Sequence, residues 1–217
     1  MTARSLAAVA LALLAGCGER EPAAPAPERR PNVVLVSIDS LRPDRLGCYG
    51  HRKPTSPAID ALAERGVRFG TAVSTTSWTL PAHAALFTGL YDATHGATDV
   101  DLALSRDHAT LAEALRAAGW RTVGFFGGPF LDPAFGLDQG FERWVDCTTP
   151  LPPEDARKPL REKLAASHEA SHKDVTGPRT LEAVERWLGE EREPGPVFVF
   201  LHLWDVHYDY VLSLIHI

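Results

Sequence analysis

The segment that most limits the fold of this chain is Asn32–Ile38, NVVLVSI, a run of apolar and β-branched residues between Pro31 and the polar Asp39. A continuous apolar run of this length predicts a strand buried on both faces, and such strands belong to parallel sheets covered by helices. Val67–Val73, Arg121–Phe126 (RTVGFF) and Val197–Leu203 (VFVFLHL) read as further strands. Helices fall between them. Ser56-Pro57 starts one that runs to Arg65, with Gly66 as its stop. Pro81–Thr88 is a short one closed by Gly89. Thr110–Ala118 carries Leu111, Ala114, Leu115 and Ala118 at helical spacing before Gly119. Gly177–Gly189 presents Leu181, Val184, Glu185 and Leu188 as a mostly apolar stripe. The alternation predicts an α/β domain, a mostly parallel sheet sandwiched by helices. Pro150–Lys173, polar and Pro-rich at its start, reads as a surface excursion.

In parallel sheets ligands sit outside the carboxyl ends of the strands. That rule points to Asp39, to the segment after Val73 and to the segment after Leu203. Asp39 either binds a metal or polar ligand there or caps a turn. Thr79, just ahead of the short helix, is either a helix cap or a hydroxyl held where the helix N-terminus favours an anion. His83, a helical turn further on, either contacts that anion or packs against the core. After the last strand comes His202-Leu203-Trp204-Asp205-Val206-His207. His207 is the candidate there for leaving-group protonation or anion binding, and Asp205 orients it or the loop. A net charge of −6 with no basic block argues against a nucleic-acid partner. No apolar run reaches the roughly 20 residues of a membrane span.

Three blocks, NVVLVSIDSLRPDRLGCYG, TSPAIDALAERGVRF and TLPAHAALFTGLY, resemble in order and spacing the N-terminal half of sulfatases, members of the alkaline-phosphatase superfamily. The resemblance runs from about Asn32 to Tyr210. It implies an alkaline-phosphatase-like fold, a divalent metal held by Asp39 and Thr79, and catalytic roles for Thr79, His83 and His207. It also implies a structural place for His95. The nucleophile pattern of the family is Cys/Ser-x-Pro-x-Arg; here it is Thr79-Leu80-Pro81-Ala82-His83. Threonine bears a methyl on Cβ, so no formylglycine is expected at Thr79. A Thr nucleophile resembles the branch of the superfamily that handles phosphodiesters and phospholipid head groups. The second acidic ligand that often follows the first is Ser40 here. The expected activity is therefore hydrolysis of a sulfate ester, or of a phosphoester given Thr79. The alternatives are a phosphodiesterase or head-group phosphotransferase, and a non-catalytic lipoprotein that binds an anion or glycan. The metal would be calcium in a sulfatase-like site, and manganese, zinc or magnesium in a phosphoesterase-like one. The substrate would be a small anionic ester, a glycan or a lipid head group.

Ahead of this domain, Arg4 and the apolar stretch Leu6–Ala15 have the length of a secretory signal. Leu14-Ala15-Gly16-Cys17 resembles the lipobox of bacterial lipoproteins. That implies residues 1–16 as signal peptide, lipidation at Cys17, and a protein exported and anchored by lipid to the bacterial cell envelope. Residues 17–31, with Pro22, Pro25, Pro27 and Pro31, read as an extended stalk. Residues 32–217 form the sulfatase-like portion. In an oxidising compartment Cys48 and Cys147 either pair or stay as free thiols. Val211–Ile217 departs from the family's continuation and resembles translated sequencing adapter. The expectation is thus a truncated chain that lacks the later metal ligands and is inactive as it stands.

Overall fold

The computed structural model describes residues 30–190 and 194–207. The chain divides into two units, Met1–Arg30 and Pro31–Ile217, and only the second is described below. The expectations for the signal segment, Cys17 and residues 208–217 lie outside the described residues.

Four strands, β1 (Val33–Ile38), β2 (Arg121–Phe126), β3 (Arg143–Asp146) and β4 (Val197–Leu203), form one parallel sheet in the order β1-β4-β2-β3. The helices are α1 (Pro57–Arg65), α2 (Thr79–Thr88), α3 (Asp92–His95), α4 (Leu111–Ala117), α5 (Pro153–Ala156), α6 (Leu160–Ser171) and α7 (Gly177–Gly189). Alternation along β4 splits its side chains between two cores. Phe198 and Phe200 join Leu80, Ala84 and Phe87 of α2 on one face. On the other, Val199 joins Val123, Phe125 and Trp187 of α7. Helices thus cover both faces of the sheet at β2 and β4, whereas β1, at the sheet edge, is not buried on both faces as its apolar run predicts: Val34 is 62% and Val36 48% exposed, because helix packs on only one side of that strand.

Three further elements differ from the sequence reading. Val67–Val73 is irregular and exposed, with Val67 at 85% and Val73 at 87%. β-branched residues form strand only where the backbone finds a neighbouring strand and the side chains a surface; among the described residues this segment pairs with no strand, and its contacts are with Tyr49, which donates to Phe69 O at 2.9 Å and lies under Arg68. Pro150–Lys173 is more than a surface excursion. It holds α5 and α6, and Leu164 of α6 enters the main core. β3 was not anticipated. It exists because Gly124 of β2 leaves room for the Trp144 ring: a Cβ at Gly124 would lie 2.2 Å from that ring. Trp144 then stacks on Phe200, with centroids 5.7 Å apart and planes within 5°. Cys48 and Cys147 are free thiols, not a disulfide. Among the described residues no helix is long and apolar enough to cross a membrane.

Candidate active site

The carboxyl ends of β1 and β4 bring the site together. The Asp39 backbone N–H donates to Leu203 O at 2.9 Å, which extends the β1–β4 ladder one step past the strand. Ser40 then adopts φ +54°, left-handed backbone that a non-glycine residue rarely takes, and its hydroxyl donates to Asp39 Oδ1 at 3.2 Å. Strain of this kind gathers at functional sites. It turns the chain sharply and leaves the carboxylate at the sheet's end.

Thr79 is the first residue of α2. It does not act as a side-chain cap; the N-cap position belongs to Trp78. The Thr79 hydroxyl instead donates to Asp39 Oδ2 at 2.8 Å. Asp39 and Thr79, forty residues apart in the chain, therefore meet at the helix N-terminus, where unsatisfied N–H groups favour negative charge.

Behind them lies a hydrogen-bond relay that the sequence reading did not identify. Its polarity follows from one atom. Thr79 O only accepts, so His83 Nδ1, at 2.7 Å, carries the proton. His83 is buried, and desolvation pushes its imidazole below the ordinary range; it is neutral, and its Nε2 is an acceptor. Ser37 Oγ, 2.9 Å away, donates to that Nε2. The same Oγ then accepts from His202 Nδ1 at 3.2 Å. What remains is His202 Nε2, a bare lone pair. It is fully buried, has no hydrogen-bond partner among the described residues, and lies 3.7 Å from Asp39 Oδ2. That distance is too long for a hydrogen bond. Burial also holds the His202 imidazole well below its ordinary pKa, with His83 and His207 adding to the effect, so this contact is no ion pair. The register Ser37↔His202 places the two relay residues side by side on neighbouring strands.

His207 approaches the other carboxylate oxygen, Nε2 to Asp39 Oδ1 being 3.9 Å. Its ring stacks on Trp204 with centroids 3.9 Å apart. Desolvation pushes its pKa down, and Asp39 opposes the shift. Asp205 does not orient His207. Its Oδ1 accepts from the Thr176 backbone N–H at 2.5 Å and from Thr176 Oγ1 at 3.1 Å, tying the loop after β4 to the start of α7. Of the two roles open for His83, the geometry gives packing and positioning. Both its nitrogens are engaged within the chain, so it does not face a bound anion. His95 is buried in α3, where its Nδ1 accepts from Ala97 N–H at 3.1 Å. Beside Ser40 opens a cleft lined by Arg42, Arg45, His51 and Lys53.

The family model for Sulfatase matches residues 31–212. The chain belongs to the sulfatase family. Human arylsulfatase A is 36% identical over 132 residues, which cover 54% of this chain and 25% of that protein. The N-acetylgalactosamine-6-O-sulfatase of Bacteroides thetaiotaomicron is 31% identical over 118 residues, 52% of this chain and 23% of the relative. This chain thus spans about a quarter of the length of these sulfatases. Among solved structures, the phosphonate monoester hydrolase of Agrobacterium radiobacter superposes with a TM-score of 0.63 at 25% identity, over 82% of this chain and 42% of that one.

Enzymes of the sulfatase family generally use a divalent metal. The residues at the β1 and β4 ends fit a cation. A carboxylate and a buried imidazole lone pair, both acceptors, face each other 3.7 Å apart. Without a cation that pair is repulsive. Two metal–ligand bonds of about 2.0–2.2 Å each span such a gap. Among the described residues, however, no three His, Cys, Asp or Glu side chains group closely enough to hold an ion on their own. Asp39 and Thr79 are the oxygen ligands on offer, and His202 the nearest nitrogen.

Proposed function

We propose that this chain carries the nucleophile-bearing part of a metal-dependent hydrolase that cleaves a small anionic ester, with Thr79 as nucleophile and a phosphoester as the preferred substrate class. The observation that carries this reading is the 2.8 Å hydrogen bond from Thr79 Oγ1 to Asp39 Oδ2 at the head of α2. A hydroxyl is a poor nucleophile unless its proton is held and its lone pairs are aimed. Asp39 holds the proton. The helix N-terminus supplies N–H donors for the charge that develops on the ester. His207 offers its ring N–H to an ester oxygen from the opposite side. Asp39 and Thr79 would hold the metal, which when bound lowers the pKa of the Thr79 hydroxyl and polarises the ester. His83, Ser37 and His202 keep α2 and the carboxylate in register. The cleft by Ser40, where Lys53 and His51 stand beside Arg42 and Arg45 that share Asp44 as a partner, favours an anionic substrate, whether a free ester, a glycan or a lipid head group.

Attack by Thr79 on phosphorus breaks the bond to the leaving oxygen and leaves the phosphoryl group on Oγ1, from which water releases it. The likeness to the phosphonate monoester hydrolase supports this choice. The sulfatase names of the relatives support sulfate as the second reading. The test uses protein expressed from its complete reading frame, with calcium, manganese, zinc or magnesium. Substrates are p-nitrophenyl phosphate, phenylphosphonate monoester and p-nitrophenyl sulfate. Turnover of a phosphorus ester, lost more than a hundredfold in Thr79→Ala and retained in part in Thr79→Ser, is the expected result. Faster turnover of the sulfate supports the second reading. No turnover, with anion binding intact, overturns both in favour of a non-catalytic binding protein.

The same proposal places the protein on the bacterial envelope, held by lipid at Cys17. Cys17→Ala then releases it from the membrane fraction; retention there sinks the lipid-anchor reading.

A further inference from the structure

Outside the Asp39–Thr79 site, α6 carries a second arrangement with metal-binding geometry. It ends in His168-Glu169-Ala170-Ser171-His172, two histidines four residues apart and hence on one face of the helix. Their Nε2 atoms are hydrogen-bonded at 3.2 Å through a proton that one of the two rings carries and that a shared ion would replace. At the usual Zn–N bond of about 2.0–2.1 Å, two nitrogens so spaced subtend roughly 100° at a shared ion, close to the tetrahedral value. Both rings are half-buried, within reach of solvent. His168 lies in the last turn of α6 and His172 at its C-cap, where the helix dipole favours a cation. His207 flanks the pair, with ring centroids 6.4 Å from His168 and 6.0 Å from His172. It links the pair to Asp39.

We propose that His168 and His172 chelate a borderline divalent ion, zinc being the best match, at a second site beside the first. Zinc in such a site takes two imidazoles from α6 and leaves its remaining positions to water or to an oxygen of the bound anion. His-Glu-x-x-His on a helix is also the zinc motif of metalloproteases, where the Glu is the general base. That reading fails here. Glu169 is turned to solvent and pairs with Lys173 at 2.9 Å, both side chains more than two-thirds exposed. The site binds zinc without protease chemistry.

The experiment is zinc uptake by the metal-free protein, read by calorimetry and by metal analysis after gel filtration. It is carried out in Asp39→Asn protein so that the first site is silent. The expected result is uptake of one zinc equivalent, lost on adding His168→Ala and His172→Ala. The His168→Asn, His172→Asn pair preserves polar shape and must lose it too, with the thermal midpoint of the metal-free form reporting on folding. X-ray absorption of the zinc-loaded Asp39→Asn protein should show two imidazole ligands. Uptake unchanged by the histidine substitutions overturns the proposal, and so does no uptake in Asp39→Asn. If instead Asp39→Asn leaves zinc binding of the starting protein unaltered while the histidine pair abolishes it, this site stands and the metal reading of Asp39 falls.

Discussion

Ser37→Ala isolates the relay behind the candidate nucleophile. The Ser37 hydroxyl bridges two imidazoles by hydrogen bonds, donating to His83 Nε2 at 2.9 Å and accepting from His202 Nδ1 at 3.2 Å, while the rings themselves meet edge-on with centroids 4.8 Å apart. Its removal leaves one buried acceptor and one buried donor without those partners. Each such orphan costs about 1–3 kcal/mol. Ser37 and His83 also line a cleft that admits water, which offsets part of the loss. A total of about 2–4 kcal/mol is therefore expected, a large share of the roughly 5–15 kcal/mol that keeps a domain folded. Ser37→Thr keeps the hydroxyl and should cost less than about 1 kcal/mol. Urea unfolding of the three proteins measures both values. A second readout tests the polarity of the relay. In the parent protein, nitrogen NMR of the histidine rings should find His202 Nε2 without a proton and Nδ1 with one. In Ser37→Ala that preference should weaken, and affinity for a metal at Asp39 should fall by about 10–100-fold, as it does when an outer-shell partner is lost. A Ser37→Ala cost below about 0.5 kcal/mol, or a proton found on His202 Nε2 in the parent, would refute the relay.

Three further outcomes follow from the geometry. Gly124→Ala drives a methyl into the Trp144 ring and should destabilise by about 1–3 kcal/mol or more, seen as a lowered thermal midpoint; pairing it with Trp144→Leu should recover part of the loss. Thr79→Val keeps the shape of Thr79 but removes the donor to Asp39. It should abolish turnover while leaving the circular dichroism of the fold unchanged, and surviving turnover would remove Thr79 from the nucleophile role. Acid should weaken the fold through Asp174, held below the usual carboxylate range chiefly by Arg179, and Asp60, held there chiefly by the Cys48 backbone N–H. Both pKa values are depressed in the native state. Their stabilisation is thus present above the unfolded value of 3.8 and lost as pH falls through the lower native values. Thermal midpoints between pH 5 and pH 2.5 should show this loss, flattened in Asp174→Asn; an unchanged slope in that variant would assign the acid sensitivity elsewhere.

Those residues differ in how far the sequence alone exposes them, and the difference is physical. Asp39 is legible because an apolar strand must end somewhere and the polar residue at its carboxyl end has few places to go, whereas Thr79 is legible through the likeness of Thr79-Leu80-Pro81-Ala82-His83 to the family's nucleophile pattern. β1, β2 and β4 are legible as apolar runs. Val67–Val73 has the same composition and fails as a strand, since composition does not supply a neighbour to pair with. β3 is four residues with charge at both ends, and becomes a strand because Gly124 and Phe200 make a slot for Trp144, a fact of tertiary packing. α6 was hidden by its polarity, although His168 and His172 already stood at the helical spacing that aligns them.

His202 is the most instructive omission. Strand periodicity alone puts Phe198, Phe200 and His202 on one face, the face that α2 covers, so a histidine at the third position was bound to be buried. A buried imidazole has two nitrogens that must each be accounted for. Nδ1 is accounted for by Ser37, its register partner on β1. Nε2 has no hydrogen-bond partner among the described residues, and it lies 3.7 Å from the Asp39 carboxylate. An acceptor buried against an acceptor is costly unless a cation joins them. The unpaired nitrogen in the core is therefore the point where the packing of the sheet and the chemistry of the site become a single constraint.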